Sequence, residues 1–143
     1  MIRARLNWGR TLLVAGLATG LVSWRESVAH LGDPSFVLPP GFPEGTKHGQ
    51  YHVFREVCGD VAKMAVFLLV FFGPARYRTP QTWRIVLILM IGYYAPFWVG
   101  KPFLRELSAP NRVASAAHVA MAAFAFVALL TSRPRFRSKD TMF

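Results

Sequence analysis

The chain has 143 residues, which allows one domain and excludes a multidomain enzyme. Hydrophobic residues make up 53% and charged residues 17%, with a mean hydropathy of +0.31, so a disordered or collagen-like chain is excluded. The formal net charge of +10 leaves two classes open, a nucleic-acid binder and a membrane protein, and the positions of the charges distinguish them.

Four apolar stretches predict an all-α integral membrane protein, a single-domain bundle of four transmembrane helices over 1–143. A crossing needs about 20 mainly apolar residues. We therefore place the helices at about 11–30, 50–72, 84–100 and 112–131. The first two reach that length only by including charged residues. The last two lack the polar face that a helix of a soluble bundle would show. Three crossings are the main alternative.

The first predicted helix follows a basic segment, which is also the pattern of a cleaved signal peptide. Because Arg25 and Glu26 occupy the place where small residues would be needed for cleavage, we expect a retained signal anchor. Gly16 and Gly20, together with an alanine-rich fourth helix, permit close helix contacts. These contacts are either internal to the bundle or made with a partner membrane protein or a second copy.

The segment 32–47, which joins the first two helices, contains four prolines and three glycines. Neither helix nor strand can persist through such a composition. The segment also carries apolar side chains. We interpret it as an outer loop that either connects helices at the membrane interface or covers a pocket as a lid.

The second predicted helix carries polar residues on one side. His48, His52, Glu56 and Asp60 recur every four residues, and together with Lys63 they share an arc of about 120° on a helical wheel. Other polar side chains are expected at the same level of the bundle: Glu26, His30, Tyr93, Tyr94 and His118. Ionisable residues at membrane depth face the bundle interior or a water-filled cavity, so the pattern predicts an intramembrane polar pocket.

Three uses of this pocket are open. In an acid–base site, Glu56, Asp60 and His52 are the candidate catalytic residues. In a ligand site, the candidates are Lys63, His118, Tyr93, Tyr94 and Glu26. In a purely structural arrangement, Asp60 and Lys63 neutralise each other and the tyrosines are interfacial aromatics.

A divalent metal, zinc or non-haem iron, is the one cofactor that the pattern suggests. Its candidate ligands are His48, His52, Glu56 and His118, since imidazole and carboxylate suit both ions. The chain has neither an HExxH motif nor the Glu-x-x-His pattern of di-iron bundles.

The basic residues indicate orientation. Ten of the 17 would lie on the side of both termini and of the 73–84 loop: Arg3, Arg5, Arg10, Arg76, Arg78, Arg84, Arg133, Arg135, Arg137 and Lys139. The positive-inside rule then places both termini in the cytoplasm, and we expect a bacterial inner membrane. Basic clusters beside apolar segments suit anionic lipids and argue against nucleic-acid binding.

The sequence favours a small polytopic membrane protein that acts as an accessory or assembly subunit, or that binds a lipophilic small molecule through the outward-facing His/carboxylate pocket. A membrane enzyme using acid–base or metal chemistry on a lipophilic substrate is the second hypothesis. A proton- or metal-coupled carrier is the third, since such residues can form a relay.

Overall fold

The computed structural model describes residues 2–33, 48–96 and 112–136, and over these ranges the chain is all-α with four helices. The helices are α1 (Ile2–Ala29), α2 (His48–Phe72), α3 (Pro80–Tyr94) and α4 (Arg112–Ser132). Short 3-10 turns follow α1, α2 and α4. The prediction of an all-α fold is confirmed. The outer loop from 34 and the predicted end of the third helix at 97–100 lie outside the described residues.

Two helices begin earlier than the apolar stretches that predicted them. α1 begins at Ile2 because hydropathy marks only the apolar part of a helix, and the basic segment before it is also helical. α3 begins at Pro80, where Thr79 acts as N-cap and its side chain accepts a hydrogen bond from the Thr82 backbone N–H at 3.1 Å. Proline is favoured in the first turn, since the missing N–H has no partner there.

One helix among the described residues is long and apolar enough to cross a membrane by length and composition. It comprises α4 and the turn after it, from Arg112 to Arg135. α2 has 25 residues but carries charged side chains in its first half, and α3 is described over only 15 residues. The four-crossing bundle therefore stays a prediction.

Consecutive helices run antiparallel. Arg10 Nε donates a hydrogen bond of 2.9 Å to the Phe71 carbonyl oxygen, which joins the start of α1 to the end of α2. Trp83 Nε1 donates to the Leu129 carbonyl oxygen at 3.2 Å, which joins the start of α3 to the end of α4. These contacts bring several arginines to one end of the bundle, called the basic end below: Arg10, Arg76, Arg78, Arg133 and Arg135.

α1 and α4 form the most extensive helix pair in the described structure, and glycines allow their close contact. A Cβ on Gly9 would collide with Ser132 Oγ and lie 3.0 Å from the Ala128 carbonyl oxygen. A Cβ on Gly16 would lie 3.1 Å from the Met121 carbonyl oxygen. Small residues therefore let the two backbones approach each other within one chain. Of the two possibilities left open by the sequence, this is the one in which the glycine and alanine contacts are internal to the bundle.

The apolar core lies next to the basic end. Its fully buried side chains come from all four helices: Leu13, Phe67, Phe71, Val86, Met90 and Leu129. Large apolar side chains are also exposed on every helix: Trp8, Val14, Leu21 and Val22 on α1, Leu68 and Leu69 on α2, Ile85, Ile88 and Ile91 on α3, and Val113, Val119, Val127 and Leu130 on α4. Each of the four described helices thus exposes large apolar side chains in addition to those that it buries in the core.

We predict that Gly9→Ala lowers the free energy of unfolding by about 1–3 kcal/mol, the usual cost of overpacking a tight contact. Ser132→Ala alone should change stability little, because the buried Ser132 hydroxyl has no hydrogen-bond partner among the described residues. Combined with Gly9→Ala, it should restore part of the loss. The measurement is thermal unfolding of the detergent-solubilised chain, followed by circular dichroism.

Gly59→Ala is the matched control, since a Cβ there would meet only Lys63 Cε at 4.0 Å. Removing a helix-interior glycine should leave this variant equal to or more stable than the parent chain. Equal stability of the Gly9→Ala and Gly59→Ala variants would contradict the close-contact argument.

Candidate functional site

A cavity of about 270 Å³ lies between the helices on the side of the core away from the basic end. Every helix contributes to its lining: Gly20, Ser23, Trp24 and Ser27 from α1, Glu56, Asp60 and Lys63 from α2, Gly92, Tyr93 and Pro96 at α3, and His118 and Met121 from α4. At a liquid volume of ~30 Å³ per water, the cavity has room for several waters or for a small polar group.

An ion pair between Asp60 and Lys63 lies in the cavity wall. Lys63 Nζ is 2.9 Å from Asp60 Oδ1, and the two residues are one helical turn apart on α2. Asp60 is 6% exposed, and the Lys63 side chain is 30% exposed. Lys63 Nζ also lies 4.4 Å from the centre of the Tyr93 ring, so one ammonium group contacts a carboxylate and an aromatic face. The sequence predicted an Asp60–Lys63 ion pair for a purely structural arrangement. That ion pair is present, and it lies in the wall of the polar cavity.

Glu56 adds a second carboxylate to the same wall, one turn before Asp60. Within the described ranges, Glu56 has no ion-pair partner. Glu56 is exposed, whereas Asp60 is buried and paired with Lys63, so Glu56 is the lining carboxylate that is left for other partners. A carboxylate in this state can accept hydrogen bonds from a donor group that enters the cavity.

The opposite wall is held by a bond between α1 and α4. Ser23 Oγ and His118 Nε2 are hydrogen-bonded across the cavity end of this helix pair. The bond fixes the orientation of the imidazole ring. The position of the ring therefore depends on the α1–α4 contact that Gly9 and Gly16 allow.

Trp24, on the α1 wall, has a buried indole N–H with no hydrogen-bond acceptor in the described part of the chain. Buried donors are nearly always paired, because leaving one unsatisfied costs about 1–3 kcal/mol. The lining thus includes a donor whose acceptor the described side chains and backbone do not supply.

The structure brings together five of the sequence-predicted site residues: Glu56, Asp60, Lys63, Tyr93 and His118. It places the other candidates elsewhere. The exposed His52 lies with its Nδ1 3.3 Å from the guanidinium of Arg55 and stacks edge-on against Tyr51. Glu26 is exposed and does not line the cavity.

Tyr94 differs from the predicted set, because it does not line the cavity. Tyr94 is 2% exposed and packs in the core, with its ring 5.9 Å from that of Phe126. The centre of its ring also lies 4.8 Å from that of Tyr93, so the two tyrosines are in contact although only Tyr93 reaches the cavity. The side chain of His48 lies outside what the structure describes.

No group of three or more His, Cys, Asp or Glu side chains that could hold a metal ion occurs in residues 2–33, 48–96 and 112–136. Of the predicted metal ligands, Glu56 and His118 line the cavity, whereas His52 lies beside Arg55. The described members of the predicted metal set are therefore not assembled into a site.

The sequence-based prediction missed the α1 wall of the cavity. Ser23, Trp24 and Ser27 share one face of α1 with Gly20, at spacings of three and four residues. That spacing of small and polar residues within an apolar helix is a signal that could have identified them. The prediction selected Glu26 instead because it is charged.

The chain matches no protein-family model, and comparisons with curated proteins and with solved structures find no similar protein.

We predict that Asp60→Asn and Lys63→Met each lower the free energy of unfolding by about 1–3 kcal/mol, because each leaves the other member of a largely buried pair unmatched. The double variant should lose clearly less than the sum of the two single losses. Chemical unfolding in detergent of the parent chain, the two single variants and the double variant measures this coupling.

Glu26→Gln changes an exposed carboxylate outside the cavity and serves as the control, with a change expected within about 0.5 kcal/mol. Strictly additive losses for Asp60→Asn and Lys63→Met would show that the two side chains do not depend on each other.

Proposed function

We propose that this chain is a four-crossing integral membrane protein that binds a small amphiphilic molecule, with the polar group of that molecule in the cavity. The main support for this proposal is the distribution of polarity. Charged and hydrogen-bonding side chains line a cavity inside the bundle, whereas large apolar side chains are exposed on its outside. A soluble protein normally shows the reverse distribution. In a membrane, ionisable residues face the interior and apolar ones face lipid.

The exposed apolar side chains support the membrane environment. Val113 is 73% exposed and Ile88 68%, and similar residues occur on all four helices. Large apolar side chains exposed in this number are typical of a surface that contacts lipid or a partner protein. Lipid contact on every side also accounts for the position of Asp60, which is buried towards the cavity and not turned outwards.

The arginines of the basic end support the predicted orientation. Basic residues flank transmembrane segments on the cytoplasmic side. In the proposed orientation both termini are cytoplasmic, the cavity lies towards the outer face, and the membrane is the bacterial inner membrane.

Cysteine labelling tests this orientation. In a Cys58→Ser background, we expect a cysteine at the exposed position Glu26 to react with a membrane-impermeant maleimide in intact cells. A cysteine at the exposed position Gln81, near the basic end, should react only after lysis. Reaction at Gln81 in intact cells, or extraction of the chain from membranes by alkaline carbonate, would contradict the proposal.

The cavity lining indicates the chemistry of the ligand. Among the described residues, Glu56 has no ion-pair partner and the indole N–H of Trp24 has no acceptor. A polar group that carries both a donor and an acceptor would complement this pair. Because the outer surface of the bundle is apolar, a molecule that reaches the cavity through lipid needs an apolar portion too. An amphiphile meets both demands.

A membrane enzyme is the second candidate, favoured by the presence of Glu56 and His118 in one cavity. A carboxylate and an imidazole at a shared site are the groups that general acid–base catalysis uses. In that case, Glu56→Gln would still bind the amphiphile but would not turn it over.

We predict that a specific amphiphile copurifies with the chain in a mild detergent and can be identified by mass spectrometry of an organic extract. Glu56→Gln should reduce its recovery by about tenfold, since a hydrogen bond to a charged group contributes roughly 1.5–3 kcal/mol. Glu26→Gln, which alters an exposed carboxylate two residues from Trp24, should leave recovery unchanged.

Two results would contradict the binding function. One is identical extracts from the parent chain and from the Glu56→Gln variant, in the absence of any turnover. The other is an extract that holds only bulk membrane lipid in its usual proportions.

A further inference from the structure

Two guanidinium groups meet at the basic end. Arg10 Nε donates to the Phe71 carbonyl oxygen at 2.9 Å, and an Arg78 Nη atom donates to the Gly73 carbonyl oxygen at 2.8 Å. The same Arg78 nitrogen lies 3.4 Å from the Phe71 oxygen, so both side chains contact one carbonyl group. The last carbonyls of α2 lack helical partners, and these arginines supply donors for them.

These bonds use only part of each guanidinium. A guanidinium has five N–H donors, and Arg10 donates to α2 through Nε alone, while Arg78 donates through a single Nη atom. The C-terminus of α2 carries about half a negative charge from the helix dipole, which two full positive charges exceed. The pair therefore keeps both donors and positive charge for a further anion.

The described part of the chain places no carboxylate beside this pair. The described acidic residues, Glu26, Asp33, Glu56 and Asp60, all lie on the cavity side of the core. Burial, and then the charge of Arg10, lower the pKa of Arg78, in keeping with the contact of both side chains with the Phe71 carbonyl group. Arg10 and Arg78 thus bring two like charges together without a carboxylate from the described residues.

We propose that Arg10 and Arg78 form a binding site for a phosphate group, and that the group belongs to an anionic phospholipid of the cytoplasmic leaflet. Guanidinium groups bind phosphate oxygens in pairs with parallel hydrogen bonds. The neighbouring surface is apolar: the Arg10 guanidinium lies 5.2 Å from the centre of the Phe72 ring, and Phe72 is 47% exposed. A phosphate with an attached acyl chain fits this surface better than free phosphate does. The site does not depend on the cavity or on its ligand, but it rests on the membrane placement and orientation proposed above.

Native mass spectrometry of the detergent-solubilised full chain tests the site, with phosphatidylglycerol as the anionic probe and phosphatidylcholine as the zwitterionic one. The parent chain should bind its first phosphatidylglycerol about tenfold more tightly than phosphatidylcholine, as expected for charge-assisted hydrogen bonds. Arg10→Gln and Arg78→Gln should each remove most of this preference, while circular dichroism shows that both variants keep the helix content of the parent chain. Arg10→Lys keeps a positive charge near the α2 carbonyl group but lacks the paired donors of a guanidinium, so it should also lose much of the preference.

Arg84→Gln is the matched control, because Arg84 is exposed and lies near the start of α3 at the same end of the bundle. It should keep the full preference. The proposal is overturned if Arg84→Gln weakens binding as much as Arg78→Gln does, since that result indicates general charge attraction. It is also overturned if the parent chain shows no preference between the two lipids. A separate experiment compares how much sodium phosphate and phosphatidylglycerol each stabilise the chain against thermal unfolding at constant ionic strength. Equal stabilisation by the two would exclude the lipid assignment.

Discussion

The close contact between α1 and α4 is the constraint on which the rest of the bundle depends. Gly9 and Gly16 let the two backbones approach until an added methyl group would collide with Ser132 at Gly9, or lie only 3.1 Å from the Met121 carbonyl oxygen at Gly16. This contact runs from the basic end to the Ser23–His118 bond, so it fixes one wall of the cavity. α2 and α3 complete the core next to the basic end, and further along α1 and α4 they enclose the cavity.

The ion pair in that cavity follows from the same packing. A lone carboxylate taken out of water is very costly, so a buried Asp60 needs a cation close by. Lys63 lies one turn away on α2 and supplies the cation, and the face of Tyr93 on α3 contacts its other side. Because Lys63 is engaged by Asp60, Glu56 has no ion-pair partner among the described residues. The structural role of the pair and the polar chemistry of the cavity therefore belong to one arrangement.

Periodicity and hydropathy predicted the four helices and the α2 side of the cavity, because Glu56, Asp60 and Lys63 share an arc that any straight helix preserves. They could not predict which parts of the other helices meet that arc. His52 shares the arc but lies too near the start of α2, where it contacts Arg55. Tyr94 was grouped with Tyr93 and contacts it, but it lies in the core, which depends on packing against α4. Ser23 and Ser27 were missed because the prediction favoured the charged Glu26 over the small and polar residues that share one face of α1.

The two ends of α2 also bear on the depth of the cavity in the proposed membrane orientation. Arg10 and Arg78 bind the end of α2 and keep spare donors, so their guanidinium groups belong at the level of the cytoplasmic headgroups. Asp60 precedes Phe72 by 12 residues, which corresponds to ~18 Å along a helix. Across an apolar core of ~30 Å, this places the Asp60–Lys63 pair beyond the midplane. An amphiphile whose polar group reaches the cavity would therefore enter from the outer leaflet, whereas the arginine site at the other end of the same helix contacts the inner one.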